Sequence, residues 1–519
     1  MVIKLLMLVV FFAVMVAIGI YCRRSAVNVN GFVLGGRSVG PWLTAFAYGT
    51  SYFSAVVFVG YAGQFGWKYG IAATWAGIGN ALIGSLLAWA ILGRRTRIMT
   101  QHLDSATMPE FFGQRFGSSS LKIAASIVTF IFLIPYTASL YNGLSRLFAM
   151  AFDIDYAVCV IVMAVLTGIY VIAGGYMATA INDFIQGIIM LFGICAVIVA
   201  VLKGQGGFIN ALNGLAQVTD ETVSTAPGIF NSFFGPDPIN LLGVVILTSL
   251  GTWGLPQMVQ KFYAIKSEKS VSTGLIVSTA FAFIVAGGCY FLGGFGRLFS
   301  GQMEIINGLP NGSYDSVIPT MLSGLPDLLI ALVVILVLSA SMSTLSSLVL
   351  TSSSTLTLDL LKGHVVKKMD EKKQVLVMRC LIVVFILISV VLAIVQYRSS
   401  VTFIAQLMGV SWGALAGAFL APFLYGLYWK RTTKAACWTS FIFSTVFMLL
   451  VISPLKTMLP TLLQSPINAG AFCMIMGLII VPVVSMITPA PDKQLVDNAF
   501  ACYDRQVTVP QREALGDPK

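Results

Sequence analysis

Apolar runs long enough to cross a bilayer recur along the whole chain, near 3–21, 41–65, 70–93, 121–150, 156–173, 178–202, 239–263, 270–298, 326–360, 376–397, 401–428, 434–455 and 464–488. A membrane-spanning helix needs about 20 such residues to cross roughly 30 Å of hydrocarbon. The pattern therefore predicts thirteen helical spans within a single domain, 1–488. Short alternating strands of the kind that build a membrane barrel are absent. The remaining stretch, 489–519, is polar and bracketed by proline, and is expected to be a short, loosely ordered cytoplasmic tail.

Two spans carry interruptions. Residues 49–63 read GTSYFSAVVFVGYAG and residues 247–260 read LTSLGTWGLPQMVQ. Gly49, Thr50, Ser51 and Ser54 in one, and Gly251, Gly254 and Pro256 in the other, place small, polar or helix-breaking residues in mid-membrane. Proline removes a helical hydrogen bond and clashes with the preceding turn. Backbone groups freed inside a bilayer are tolerated only where they line a cavity or are buried in protein. The two broken spans lie five apart in the order of spans, the separation expected of a five-span unit duplicated in inverted topology, with repeats near 41–202 and 239–428. The competing account is that these glycines merely let neighbouring helices approach closely.

The ninth span ends in SASMSTLSSLVLTSSS (339–354), in which ten of sixteen residues carry hydroxyls. Helical spacing places i, i+3 and i+4 on one face. Ala340, Ser343 and Thr344 share one patch; Ser343, Ser346 and Ser347 share an overlapping one. Small hard cations take oxygen ligands, and hydroxyls with carbonyls of an unwound neighbour supply them without burying charge. Back-bonding to the preceding turn is the other use of such residues. Of the 20 acidic residues, Asp183 is the one within a span and away from its ends. An acid at that depth is a functional candidate by default; a helix-start residue near the interface is the alternative.

Composition agrees with a membrane protein: 57% hydrophobic, 10% charged, mean hydropathy +0.90, against about a quarter charged in soluble domains. The net charge of +11 resolves into topology. With the N-terminus outside, 24 of the 31 Lys and Arg residues, Lys261 among them, fall in inner stretches and six in outer ones. That asymmetry predicts N-terminus out, C-terminus in, and no nucleic-acid partner. Arg146, near the outer end of its span, is expected to snorkel to the headgroups. The first span lacks a small-residue cleavage site and reads as a retained anchor. The eight scattered cysteines form no disulfide or zinc pattern. His102 and His364 fall in loops, so no histidine-based metal or catalytic centre is expected. With no paired acids or nucleophile–base set in the spans, an enzyme is not expected.

Four stretches, GGRSVGPWLTAFAYGTSYFSA (35–55), IAGGYMATAINDFIQG (172–187), GLPQMVQKFYAIKSEKSV (254–271) and SASMSTLSSLVL (339–350), resemble the sodium/solute symporter family, which includes proline, pantothenate, monocarboxylate, sugar and sialic-acid transporters. The resemblance covers about residues 1–450. It implies a five-plus-five inverted-repeat, LeuT-like core with one helix before it and two after, and sodium-coupled import of a small organic solute across the cell membrane by alternating access. It implies a first sodium site made of the carbonyls of Thr50, Phe53 and Ala340 and the hydroxyls of Ser343 and Thr344. A second sodium site, as in members similar to the sialic-acid transporters, would use Asp183, Ser343, Ser346 and Ser347. Tyr52, Ser54, Asn80, Tyr136, Thr252 and Trp253 would line the solute site. Proline-transporting members carry an aspartate at the position of Tyr52 and aromatics at those of Thr248 and Thr252, which points away from proline. GLP at 254–256 and DSVIPTML at 315–322 look more like the pantothenate and monocarboxylate branch, so a carboxylate-bearing solute (a monocarboxylate, pantothenate-like compound or amino acid) is expected. The expected partners are that solute, sodium ions and membrane lipids. The rival reading is a non-transporting solute sensor or a channel on the same fold. A sensor would carry a signalling domain that a 31-residue tail has no room for, and a channel would show a continuous polar path.

Overall fold

The computed structural model describes residues 2–504 except 153–154, 222, 224, 307, 363–364, 367–368 and 400–403. The side chains of 2–3, 145–146, 149–150, 396, 398–399 and 404 also lie outside the description, so the expectations for Arg146 and His364 fall outside the described residues.

The chain is helical almost throughout. In order the helices are α1 Val2–Tyr21, α2 Val29–Leu34, α3 Pro41–Tyr52, α4 Ala62–Tyr69, α5 Thr74–Gly79, α6 Arg94–His102, α7 Met108–Phe116, α8 Ser119–Phe152, α9 Tyr156–Gly204 and α10 Phe208–Gln217. There follow α11 Pro238–Gly254, α12 Pro256–Ala264, α13 Lys269–Gly293, α14 Val317–Ser323, α15 Asp327–Thr355, α16 Glu371–Ser399, α17 Ile404–Tyr428, α18 Lys434–Ile452, α19 Pro466–Ile487 and α20 Lys493–Phe500. A two-residue antiparallel pair, Ile305–Ile306 with Leu309–Pro310, lies in the α13–α14 connection. Side-chain caps mark several starts, with Thr107, Asp155, Asp237, Thr433 and Asp492 each accepting from a first-turn amide.

Among the described residues, ten helices are long and apolar enough to cross a membrane, eleven if the bent pair α11–α12 is one span. The thirteen expected from the sequence are not reached by that measure, because continuous helix runs through two expected boundaries. Helix α9 has 49 residues, about 74 Å of helix against roughly 30 Å of hydrocarbon. Its helical geometry breaks at Gly175 (φ 55°, ψ −146°), which lies between the fifth and sixth predicted spans. Likewise 47 helical residues run from Val56 to His102.

The two interruptions share one geometry. Phe53 has φ −80°, ψ 121°, and Leu255 has φ −81°, ψ 121°. Leu255 is extended because the residue before a proline avoids the helical region, and Pro256 then opens α12 at the position proline suits. After Phe53, the Ser54 hydroxyl accepts from the Val56 amide (3.2 Å) and its carbonyl accepts from Val57 and Phe58, restarting the helix. The glycines serve packing instead: a Cβ on Gly49 would meet Phe281 at 2.4 Å, and one on Gly251 would meet Trp412 at 2.4 Å.

Helix α15 packs on α8 and α9, α17 on α8, α11, α18 and α19, and α13 on α3. Helices α15 and α17 are almost wholly buried, whereas α1 and α16 present Leu6, Val9, Leu387 and Val391 outward, a surface suited to hydrocarbon. The basic end of the bundle is closed. There the Val39 amide donates to Ala264 (3.3 Å) and the Lys266 amide to Val39 (3.0 Å). The Arg37 guanidinium donates to the carbonyls of Ser105 (2.6 Å), Thr100 (3.3 Å) and Tyr263 (3.4 Å). The opposite end holds a cavity of about 960 Å³ whose lining includes Gln64, Trp67, Asp237, Asn240, Val410 and Asn468. The tail differs from expectation over 493–503: Phe500 packs under the Arg115 guanidinium (4.9 Å) and Tyr503 under that of Arg95 (4.6 Å). Those cations and the amphipathic α20 give the segment a docking face that its polar composition conceals.

Candidate functional site

The break at Phe53 frees carbonyls of α3 opposite the hydroxyl face of α15. The Ser343 Oγ donates to the Thr50 carbonyl (2.9 Å) and lies 3.2 Å from that of Ala340. The Thr344 Oγ1 lies 3.1 Å from the Ala340 carbonyl, 3.2 Å from Thr50 and 3.3 Å from Phe53. All five residues are fully buried. The five oxygens expected from the sequence thus converge on one spot between two helices almost 300 residues apart in sequence. Oxygens around a small hard cation at about 2.3–2.6 Å stand roughly 3.3–3.7 Å from one another in an octahedral shell. The observed spacing is a few tenths of an ångström tighter, the contraction expected when hydroxyl protons bridge oxygens that a cation would hold apart.

Of the second predicted group, Asp183 and Ser347 come together through a residue that sequence reading placed elsewhere, while the Ser343 and Ser346 hydroxyls bond backbone carbonyls. Asp183 lies in α9, past the break at Gly175, with no solvent exposure. That burial removes the reading of a helix-start residue at the interface. Neither of its carboxylate oxygens has a hydrogen-bond partner among the described residues. Its ion-pair partner is Lys261 of α12, whose Nζ is 3.9 Å from Oδ2. The same ammonium donates to the Ser347 hydroxyl (3.0 Å) and sits 5.1 Å from the centre of the Tyr176 ring. Ser347 also bonds Ser51 of α3 (2.9 Å), and Ser346 donates back to the Ser343 carbonyl (2.8 Å). Lys261 was counted among the inner loop charges; the structure buries it, 2% exposed, in the chamber with Asp183.

The predicted solute-lining residues divide. Tyr52, Asn80 and Thr252 line one small cavity of about 10 Å³ with Tyr48, Ser85 and Ser278, room for a single water. Tyr136 joins them through Trp412, whose ring lies 5.7 Å from that of Tyr52 and 6.0 Å from that of Tyr136. Ser54 uses its hydroxyl on the Val56 amide, and Trp253 donates Nε1 to the Ile83 carbonyl (2.9 Å). Thr252 bonds the Gly84 carbonyl (2.9 Å). Tyr61 and Tyr290, like Tyr136, stand close enough to Tyr52 to interact electrostatically. The hydroxyls of Tyr52, Tyr61, Tyr136 and Tyr290, the Trp412 Nε1 and the Asn80 Nδ2 are buried without a well-formed hydrogen bond among the described residues, although Tyr290 comes near Tyr52 and Asn80, and Tyr136 near Ser54 and Trp412, closely enough to pair loosely. These groups are donors as well as neighbours, so the cluster offers several buried donors to an acceptor placed among them. Trp412, Tyr61 and Tyr290 around Tyr52, and Lys261 beside Asp183, were missed by sequence reading; only their buried neighbours set them apart from other aromatics and cations.

A family model described as the sodium:solute symporter family matches residues 32–443. The chain belongs to that family. This symporter is 28% identical over 487 residues to the osmoregulated proline transporter OpuE of Bacillus subtilis, covering 93% of this chain and 94% of that one. It is 29% identical over 461 residues to the sodium/proline symporter of Staphylococcus aureus, covering 87% and 86%. Its structure superposes on that of a sodium-coupled sialic acid symporter, solved substrate-bound and outward-open, with a TM-score of 0.75 at 18% identity over 94% of this chain and 98% of that one. The fold is the LeuT-like inverted repeat expected from the paired breaks. The symporter's relatives are transporters and not enzymes, and sodium-coupled symport of a small solute is the family's work.

Proposed function

We propose that this symporter uses the sodium gradient across the cell membrane to import a small carboxylate-bearing amino acid, with proline the first candidate. The observation that carries the reading is the meeting of the Thr50, Phe53 and Ala340 carbonyls with the Ser343 and Thr344 hydroxyls. A sodium ion there ties the unwound end of α3 to α15, favouring the form closed at its basic end, and leaves when those helices separate. The solute lies beside it against Tyr52. Its carboxylate accepts from the buried tyrosine hydroxyls, Trp412 and Asn80, which make no well-formed hydrogen bond among the described residues, aided by the positive helix starts after the two breaks.

Proline is favoured by the two curated relatives named above, although the residues at 52, 248 and 252 pointed away from it; a tyrosine hydroxyl in place of an acid keeps the site free of negative charge. The excess of cations at the closed end supports N-terminus out and C-terminus in, which makes the 960 Å³ cavity the external vestibule. A cavity open at one end and sealed at the other suits alternating access better than a pore. The coupling asks only that each ligand favour the occluded form by about 1–3 kcal/mol.

The test is uptake of labelled solutes, proline first and then a panel of monocarboxylates, pantothenate and other amino acids, into proteoliposomes with and without an inward sodium gradient. Uptake indifferent to sodium for every solute defeats the proposal; sodium-driven uptake of a non-proline solute alone corrects the substrate.

A further inference from the structure

The chamber around Asp183 has the ligands for a cation and already contains one. Asp183 supplies a buried carboxylate with both oxygens free of hydrogen bonds among the described residues, and Ser347 supplies a hydroxyl. The Lys261 ammonium lies between them, 3.9 Å from Asp183 Oδ2 and 3.0 Å from Ser347 Oγ. The Tyr176 ring faces it at 5.1 Å, a further contact that suits a cation. Ser51, bonded to Ser347, joins the chamber to the broken helix.

We propose that Lys261 is the resident cation of this chamber, a tethered ammonium in the place where the Asp183, Ser343, Ser346 and Ser347 set would otherwise take a second sodium ion, so that the symporter carries one sodium per solute. Two monovalent cations on one buried carboxylate repel each other strongly where water is excluded. The lysine is covalently held, so its local concentration far exceeds that of any free ion. Because Lys261 cannot leave, its charge neutralises Asp183 throughout the cycle without being transported. The anchor lies on α12, the half-helix after the second break, while its partners lie on α9 and α15. The ion pair therefore also joins elements that must separate if the basic end is to open.

This inference rests on the sodium reading above. It is tested by equilibrium binding of radioactive sodium to the purified full-length protein, and by the sodium-to-proline flux ratio in proteoliposomes. The wild type is expected to bind one sodium ion and Lys261→Met two. The double variant Lys261→Met with Asp183→Asn is expected to return to one, and Lys261→Arg, which keeps the cation, to stay at one. Two ions bound by the wild type overturn the inference, as does one ion bound by a monodisperse Lys261→Met protein. If Lys261→Met does not fold, the wild-type count decides, one supporting and two refuting. A wild type that binds no sodium overturns the sodium reading and this inference together; one ion in both wild type and Lys261→Met overturns this inference alone.

Discussion

Replacing Thr344 by valine keeps the branched shape and removes a single oxygen from the five-oxygen cluster. That oxygen lies within 3.3 Å of three carbonyls, and it is the side chain that reaches Phe53. The Thr50 and Ala340 carbonyls keep Ser343 as a neighbour, so the fold loses little beyond one underbonded carbonyl. Sodium loses a ligand, and an interaction with a charged partner is worth about 1.5–3 kcal/mol. At 2 kcal/mol the sodium dissociation constant rises roughly 30-fold. Thermal or chemical unfolding of the detergent-solubilised protein reads this without a solute. Sodium at a hundred times its wild-type dissociation constant stabilises the native state by about 2.7 kcal/mol; after a 30-fold loss of affinity the same concentration gives about 0.9 kcal/mol. Stability in sodium-free choline buffer should change far less. Sodium-dependent stabilisation of Thr344→Val equal to wild type within twofold in affinity would refute the assignment.

Arg37→Ala removes the guanidinium that joins Thr100, Ser105 and Tyr263; exchange of the Val39 and Lys266 amides should quicken about 10- to 150-fold for a loss of roughly 1.5–3 kcal/mol, and unchanged protection would remove Arg37 from the closure. Tyr52→Phe deletes a buried hydroxyl that makes no well-formed hydrogen bond among the described residues, its neighbour being Tyr290, so thermal stability should change little. The KM for proline should rise about 2- to 10-fold, the worth of one neutral hydrogen bond, and an unchanged KM would move the solute away from this ring. Gly66→Ala places a Cβ 1.9 Å from the Gly293 carbonyl oxygen; backbone cannot step aside cheaply, so stability should fall by at least about 1–3 kcal/mol, and an unaltered unfolding midpoint would contradict the close approach of α4 and α13.

Local signals carried far into this protein. Bilayer-length apolar runs, a proline that forces its predecessor out of helix, and hydroxyls at i, i+3 and i+4 each act within a few residues, and their consequences could be read along the chain. The break at Leu255 and the shared face of Ala340, Ser343 and Thr344 follow from such short-range chemistry, whereas the depth of Asp183 stayed open until the structure buried it. The first break was legible only as a neighbourhood, because Phe53 itself favours no interruption and Ser54 restarts the helix after it.

What the chain could not reveal is which distant groups share a chamber. Lys261 counts as an inner-loop charge by order along the chain, and becomes a buried counter-ion of Asp183 only when α12 folds against α9 and α15. Trp412 and Tyr290 are two aromatics among many until α17 and α13 bring them to Tyr52, and Gly49 and Gly251 look like flexible points until Phe281 and Trp412 fill the space above them. By itself the sequence determined the apolar runs, the regions where two of them break and the oxygen-bearing face, because those depend on one helix and its solvent. The tertiary structure decided which aromatics gather around Tyr52 and that Lys261 lies beside Asp183, because burial and the electrostatics it amplifies exist only where several helices exclude water together.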